Sequence, residues 1–178
     1  HLRKEILWRQ HTSHPRLFIR YTLLETTSPV TLRLRPFLAF RDKHSLSKAN
    51  MYANGHSYDA KGGVKCRLYD DFPFLYMQCS DSKAEFAAAP DWYYNFEYAE
   101  EFKRGYDSHE DLLTPGYFET TLRKGASLIF SASLEEIEPS ELKASFDKEL
   151  SERNGKTDFL SLLRHSAHQF VIRNNAAA

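Results

Sequence analysis

The chain has 178 residues, of which 42% are hydrophobic and 27% charged, as in an ordinary globular protein with room for one well-packed domain. Lysine plus arginine and aspartate plus glutamate each number 24, so no net charge attracts the chain to nucleic acid or to anionic lipid. No apolar run approaches the ~20 residues that span a bilayer, and we expect no signal peptide in residues 1–4, because no apolar stretch follows them. Composition therefore indicates neither a nucleic-acid-binding protein nor a membrane protein.

Most of the chain has the pattern of short β-strands. Residues 31–35 alternate strictly between polar and apolar, as in a strand with one face toward solvent. Turn residues separate the runs, among them Gly62-Gly63, Pro115-Gly116 and Lys124-Gly125. Residues 49–86 match no motif, and their composition favours a hairpin with long loops. The predicted strands are 3–9, 16–24, 30–38, 64–69, 74–79, 92–98, 117–122 and 127–133.

Beyond residue 135 the pattern becomes helical. Leu142, Phe146 and Leu150 recur every four residues after Pro139, which predicts an amphipathic helix ending near residue 154. A second helix is predicted to follow, with Thr157 as its N-cap and a broad apolar stripe that has lost part of its partner surface. We therefore predict a mainly β protein. An antiparallel β-sandwich, supersandwich-like, occupies residues 1–135, and a helical segment occupies 136–178.

No cofactor or metal site is predicted. Four of the eight histidines form two pairs three residues apart, His11 with His14 and His165 with His168, and no third ligand is evident in the sequence. Phosphate-binding glycine loops, nucleophile elbows and Cys-x-x-Cys motifs are absent from the sequence. The two cysteines, Cys66 and Cys79, have no pairing signature, so we expect reduced thiols and a cytoplasmic protein.

Two stretches carry the most information, namely LRPFLAFRDKHSL at 34–46 and WYYNFEYAEEFKRGYDSHEDLLTPGYF at 92–118. In this order they resemble the non-catalytic N-terminal domain of bacterial and archaeal glycogen debranching enzymes, the amylo-α-1,6-glucosidase family. The resemblance implies that the hydrolytic residues lie in a following (α/α) barrel, toward which 136–178 leads. It also implies that the parent enzyme binds glycogen or another branched α-glucan. The domain would come into contact with this glucan as part of that enzyme. Neither end of the sequence resembles a natural terminus, so we expect the chain to be an internal fragment of a longer protein.

Five of the seven residues 92–98 are aromatic. Sugars stack their C–H faces on aromatic rings, which makes Trp92 and Tyr94 candidate glucan contacts. The alternative is that these rings fill the sandwich core, and this is favoured for any single ring. In a regular strand Tyr93 and Tyr98 would lie on opposite faces, so only about half of the rings could serve one surface.

A run of carboxylates follows the aromatic residues. A glycosidase needs two carboxyl groups at a defined separation, which sequence spacing does not establish. Such runs more often form solvated faces, pair with neighbours such as Lys103, or accept hydrogen bonds from backbone amides. The resemblance implies that the acid and the base lie in the barrel, so we predict no catalytic residue in this chain. Glu97, Arg104 and Asp107 are candidate contacts to the barrel or its substrate, with a structural role in the connection 99–114 as the alternative. The run comprises Glu97, Glu100, Glu101, Asp107, Glu110 and Asp111.

A second polar cluster comprises Arg35, Arg41, Asp42 and His44. These side chains could orient a sugar hydroxyl or fix a loop through bidentate hydrogen bonds, and loop fixing is favoured. Asp42 is the carboxylate nearest in sequence to Arg41 and is its expected partner.

Three functional interpretations remain open. The chain is the accessory sandwich of a glycogen debranching enzyme, or a stand-alone carbohydrate-binding, lectin-like sandwich, or, on weaker grounds, a mutarotase-like sandwich enzyme that uses a His and a Glu.

Overall fold

The computed structural model describes residues 1–9, 15–154 and 158–168. The described residues form nine strands and three helices. The strands are β1 Leu2–Arg9, β2 Arg16–Leu23, β3 Val30–Leu34, β4 Ser57–Ala60, β5 Gly63–Cys66, β6 Leu75–Cys79, β7 Glu85–Glu97, β8 His109–Leu122 and β9 Ser127–Ser133. The helices are α1 Ala99–Lys103, α2 Glu141–Asn154 and α3 Phe159–His168.

The strands form two antiparallel sheets. Six strands pair in the order β1-β2-β9-β6-β5-β4, and three pair in the order β3-β8-β7. Apolar side chains of both sheets meet in one core, for example Phe118 of β8 and Phe130 of β9, whose ring centroids are 5.5 Å apart. The mainly β, antiparallel sandwich predicted from the sequence is confirmed.

Helix α2 packs on the six-stranded sheet and forms a second apolar cluster. Leu142 and Phe146 are completely buried against Leu7, Phe18 and Ile129 of strands β1, β2 and β9. The helix and its apolar spacing of four residues agree with the sequence prediction. The division into 1–135 and 136–178 stays a prediction.

Strand β8 runs straight through Pro115-Gly116, where the sequence predicted a turn. The pairing of β7 with β8 shifts register between Ala88 and Asp91, so β7 bulges opposite Pro115. Pro90 of β7 and Pro115 both lack a backbone N–H, and a bulge removes the need for one. Gly116 has a φ of +149°, and a Cβ there would lie 2.1 Å from the carbonyl oxygen of Ala87. The Pro-Gly signal therefore marks an irregularity inside a long strand.

Other local predictions are refined by the structure. The expected hairpin within 49–86 is formed by β4 and β5 around Gly62, although β4 was not predicted. The connection 99–114 is shorter than expected, because it contains α1 and β8 already begins at His109. Thr157 lies outside the described residues. The carboxylate of Asp158 accepts the backbone N–H of Ser161 at 2.9 Å in the first turn of α3.

The two cysteines are free and buried in the core. Cys66 of β5 is opposite Leu75 of β6, and Cys79 lies four residues further along β6. That separation is roughly 13 Å along the strand, too far for a disulfide without rearrangement of the sheet. Burial raises the pKa of each thiol to about 12.

In the described part of the chain, no helix combines the length and apolarity needed to span a bilayer. The same residues contain no group of three or more His, Cys, Asp or Glu side chains placed to hold a metal ion.

Candidate functional site

Glu110 of β8 is the centre of a buried ionic cluster, which we call the carboxylate clamp and which comprises Arg41, Ser47, Tyr98 and Glu110. The Arg41 guanidinium donates to both carboxylate oxygens, from Nε to Oε1 and from Nη2 to Oε2 at 2.9 Å. The Tyr98 hydroxyl donates to Oε2 at 2.7 Å. Ser47 donates its backbone N–H and its hydroxyl to Oε1, at 3.0 and 2.8 Å. The clamp thus joins residues from both informative stretches of the sequence to one anion.

The hydrogen bonds of the clamp keep Glu110 ionised. Burial by itself would raise the pKa of this fully enclosed carboxyl group. The donors on Arg41, Tyr98 and Ser47 together outweigh burial and lower the pKa to about 2. The group is therefore a structural anion at neutral pH, with its oxygens occupied by protein donors.

Asp111 ties a second pair of segments together. Its Oδ1 accepts the backbone N–H of Asn95 at 2.8 Å, and its Oδ2 accepts that of Ala49 at 3.0 Å. These two hydrogen bonds are the main reason that the pKa of Asp111 is lowered. Asn95 lies at a second bulge of β7 and has a φ of +57°. The strand 92–98 is therefore not regular, and simple alternation of faces does not apply to it.

The structure corrects the expected partner of Arg41. Its carboxylate partner is Glu110, 69 residues away, and only the backbone carbonyl of Asp42 accepts from its Nη1, at 3.0 Å. The Asp42 side chain instead accepts the backbone N–H of His44 at 2.8 Å and closes a local turn. Asp42 and His44 are both exposed. Their contact with a ligand stays a prediction.

Arg35 lies on the outer face of the three-stranded sheet and is not a member of the clamp. Its guanidinium is 5.5 Å from the centre of the Tyr93 ring and 5.6 Å from that of Tyr117, and it donates to the Tyr93 hydroxyl. Arg33 covers Tyr117 more closely, at 4.3 Å, and pairs with Glu119. Because cations cover the faces of these rings, the rings are poor platforms for a sugar.

The aromatic strand is mostly used within the protein. Trp92 packs against the sandwich core, and Tyr93 and Phe96 make edge contacts with Phe37 at 4.9 and 5.2 Å. Tyr98, directly after β7, belongs to the clamp. Tyr94 alone among the five rings is largely exposed, at 63%. The structure therefore separates the two candidate sugar contacts, since Tyr94 faces solvent and Trp92 is half-buried.

The remaining candidate residues lie on the surface after β7. Arg104 pairs with Glu101 at 3.4 Å, and Lys103 pairs with Glu100 at 2.7 Å. These contacts confirm the expected local pairing in α1. Glu97 and Asp107 are exposed and are not brought to the clamp.

The family of this chain is decided by a comparison with family models. The model described as "Glycogen debranching enzyme N terminal" matches residues 1–129. The chain belongs to this family. Comparisons with curated proteins and with solved structures gave no match. The matched range includes every member of the clamp and every site residue predicted from the sequence.

Several residues that organise this debranching-enzyme domain were not among the predicted site residues, namely Ser47, Asn95, Tyr98, Glu110 and Asp111. A usable signal was present, because Glu110-Asp111 precedes Leu112-Leu113 within a strand pattern. Charged residues at such positions are rarely buried unless they are paired, so they indicate a specific partner. The partner itself is not evident from local sequence.

A polar groove lies elsewhere on the domain, between the β6–β7 connection and the β8–β9 turn. Its lining includes Asp81, Lys83, Glu85, Glu119 and Arg123. None of the site residues predicted from the sequence lines it. The groove contains no member of the clamp, and it borders the outer face of the smaller sheet at Glu119, the partner of Arg33.

Proposed function

We propose that this chain is the accessory, non-hydrolytic domain of a glycogen debranching enzyme. In the whole protein it would brace an (α/α) barrel of the same chain, and that barrel would hydrolyse α-1,6 branch linkages of glycogen. The observation that carries the proposal is the state of Glu110, a buried and ionised carboxylate whose hydrogen bonds hold the two most informative stretches together. Family membership supports the type of parent enzyme.

The chemistry of the carboxylates argues against hydrolysis in this domain. A glycosidase general acid must be protonated near neutral pH and must reach the glycosidic oxygen. Glu110 has a pKa of about 2 and no exposed surface, and the pKa of Asp111 is lowered by two backbone donors. Both groups are committed to holding the backbone. Glu97 and Asp107 lie on the open surface.

The outer face of the three-stranded sheet supports a docking role. Arg35 is oriented by two tyrosine rings, and in the described residues it has no carboxylate partner. An oriented guanidinium is well suited to pair with a carboxylate of another domain. We propose that this face, with Arg35 as its anchor, contacts the barrel. Glu97, Arg104 and Asp107 are proposed as further contacts to the barrel or its substrate.

A cytoplasmic location is proposed on separate grounds. The two thiols are buried, and the strand register keeps them apart. Unpaired thiols are typical of reducing compartments.

The experiment for the proposed function is glucose release from limit dextrin by the purified 178-residue chain. We expect no glucose above the background of a heat-inactivated sample, with a commercial amyloglucosidase as the positive control for the assay. Turnover that is lost in folded Asp111→Asn or Glu110→Gln would overturn the proposal. Such a result would make the sandwich itself the enzyme.

A further inference from the structure

A turn after the first informative stretch presents two large side chains to solvent. Met51 is 99% exposed and Tyr52 is 88% exposed. Single exposed apolar residues are common on surfaces, but two neighbours this open on an ordered turn are less so. The turn therefore offers an aromatic ring that no part of the described chain covers.

Hydrogen bonds from one side chain hold this turn in shape. The Asn50 Oδ1 accepts the backbone N–H groups of Tyr52 and Ala53 at 3.0 and 3.1 Å. Its Nδ2 donates to the carbonyl of Lys48 and to the hydroxyl of Tyr69, both at 2.9 Å. A ring on such a turn loses little conformational entropy when it binds a ligand, which favours its use as a contact.

The segment that carries this turn is hydrogen-bonded, through Asp111, to the segment that carries Tyr94, the one largely exposed ring among residues 92–98. Asp111 accepts the backbone N–H of Ala49, just before the turn, and that of Asn95, which follows Tyr94. One carboxylate thus joins the two segments that carry Tyr52 and Tyr94. The same two segments also pack closely at Gly55 and Pro90. A side chain at position 55 would place its Cβ only 2.9 Å from the Cβ of Pro90.

We propose that Tyr52 and Tyr94 form a surface binding site for a linear α-1,4-linked glucan chain, with Asp111 as the positioning residue that joins the two segments that carry these rings. The choice of α-glucan as the ligand rests on the proposed function. The rings supply what a sugar needs, namely an apolar face for stacking and a hydroxyl at the rim. Two separate contacts on an open surface suit several consecutive glucose units better than one.

The test compares binding of maltose and maltoheptaose by calorimetry, together with retardation in native gels that contain glycogen. We expect the wild-type chain to bind maltoheptaose about tenfold more tightly than maltose. Tyr52→Ala and Tyr94→Ala should each remove most of this advantage, because one of the two contacts is lost. Neither change should alter the thermal unfolding temperature, since both side chains are largely exposed.

Two further variants separate the site from general effects. Tyr106→Ala is the matched control, because Tyr106 is 67% exposed and lies outside the two segments joined by Asp111. It should leave both measurements unchanged. Asp111→Asn retains only one carbonyl oxygen for two backbone donors. The ratio of the affinity for maltoheptaose to that for maltose should therefore fall about threefold or more, although both rings are present.

The outcomes are distinguishable from failure of the proposed function. No retardation by glycogen, or an equal loss with Tyr106→Ala, would overturn the glucan site and leave the non-hydrolytic scaffold intact. A length advantage that survives both Tyr52→Ala and Tyr94→Ala would also overturn it. Glucose release by the chain, by contrast, contradicts the scaffold and is measured in a different assay.

Discussion

On the six-stranded sheet, α2 covers one face with apolar side chains, and Phe18 and Phe146 meet there with ring centroids 6.2 Å apart. In the three-stranded sheet, the corresponding task of holding chain segments together falls to Glu110 and Asp111 of β8, which are ionised. The outer face of this smaller sheet carries stacked arginines and tyrosines and has no helix over it in the described chain.

This difference shows how one sandwich combines a closed side with an open one. Apolar burial seals a surface against water without directional requirements, as α2 does. Buried ions fix loops in defined positions, but loss of any one hydrogen-bond partner leaves a buried charge unsatisfied and destabilises the fold. The half held by ions is therefore the half whose loops have defined positions, and it includes the outer face that we propose contacts the barrel.

The strongest way to test this comparison is to remove the buried anion. Glu110→Ala should lower the free energy of unfolding by about 4 kcal/mol, because Arg41, Ser47 and Tyr98 lose their common acceptor. Urea unfolding followed by circular dichroism measures the change. Glu119→Ala is the matched control on the same strand, since its ion pair with Arg33 is exposed, and it should cost less than about 1 kcal/mol. Equal losses would remove the special role of the clamp.

The apolar contact between α2 and the six-stranded sheet is tested by comparing a Phe→Ala substitution on α2 with one on α3. Phe146→Ala should cost about 3 to 4 kcal/mol, because the ring is fully buried between α2 and the sheet. Phe159→Ala on α3 removes a ring that is 76% exposed and should change the unfolding free energy by less than about 0.5 kcal/mol. A small effect for Phe146 would mean that α2 does not seal the sheet.

Acid should weaken the ionic half selectively. The pKa of Glu110 is lowered from 4.5 to about 2 in the folded chain, so its contribution is complete above pH 4.5 and is lost as the pH falls toward 2. A shift of this size corresponds to about 3 kcal/mol. Unfolding free energies between pH 6 and pH 2 should therefore fall more steeply for the wild type than for Glu110→Gln. Parallel curves for the two proteins would contradict this prediction.

The smallest effect is expected from one hydroxyl. Tyr98→Phe removes the 2.7 Å hydrogen bond to Glu110 and keeps the ring, so it should cost about 1.5 kcal/mol. Tyr94→Phe removes an exposed hydroxyl of strand β7, which ends just before Tyr98, and should be neutral in the same urea titration. A loss for Tyr94→Phe as large as that for Tyr98→Phe would contradict the assignment.

Sequence reasoning recovered the features that depend on local periodicity. The four-residue spacing of Leu142 and Phe146 predicted α2, and the alternation in residues 31–35 agrees with strand β3. Both patterns report which side of an element is buried, and burial is what forms the element. The family resemblance also held, through motifs that the structure brings together.

Features that depend on distant pairing were not recovered. The partner of Arg41 is 69 residues away, and sequence proximity suggested Asp42 instead. Pro115-Gly116 has the local signature of a turn, but a bulge in the neighbouring strand allows β8 to continue. In each case the deciding group lies on another strand, so the local sequence contains only half of the interaction.

The most direct test of the account is the titration of the Glu110 carboxyl carbon by NMR in the folded 178-residue chain. If the clamp is a structural device, its chemical shift should stay constant from pH 8 down to about pH 4 and change only near pH 2. A transition between pH 5 and pH 7 would identify a protonatable acid of the kind that a glycosidase uses, and would contradict the claim that these carboxylates build the domain and do not react.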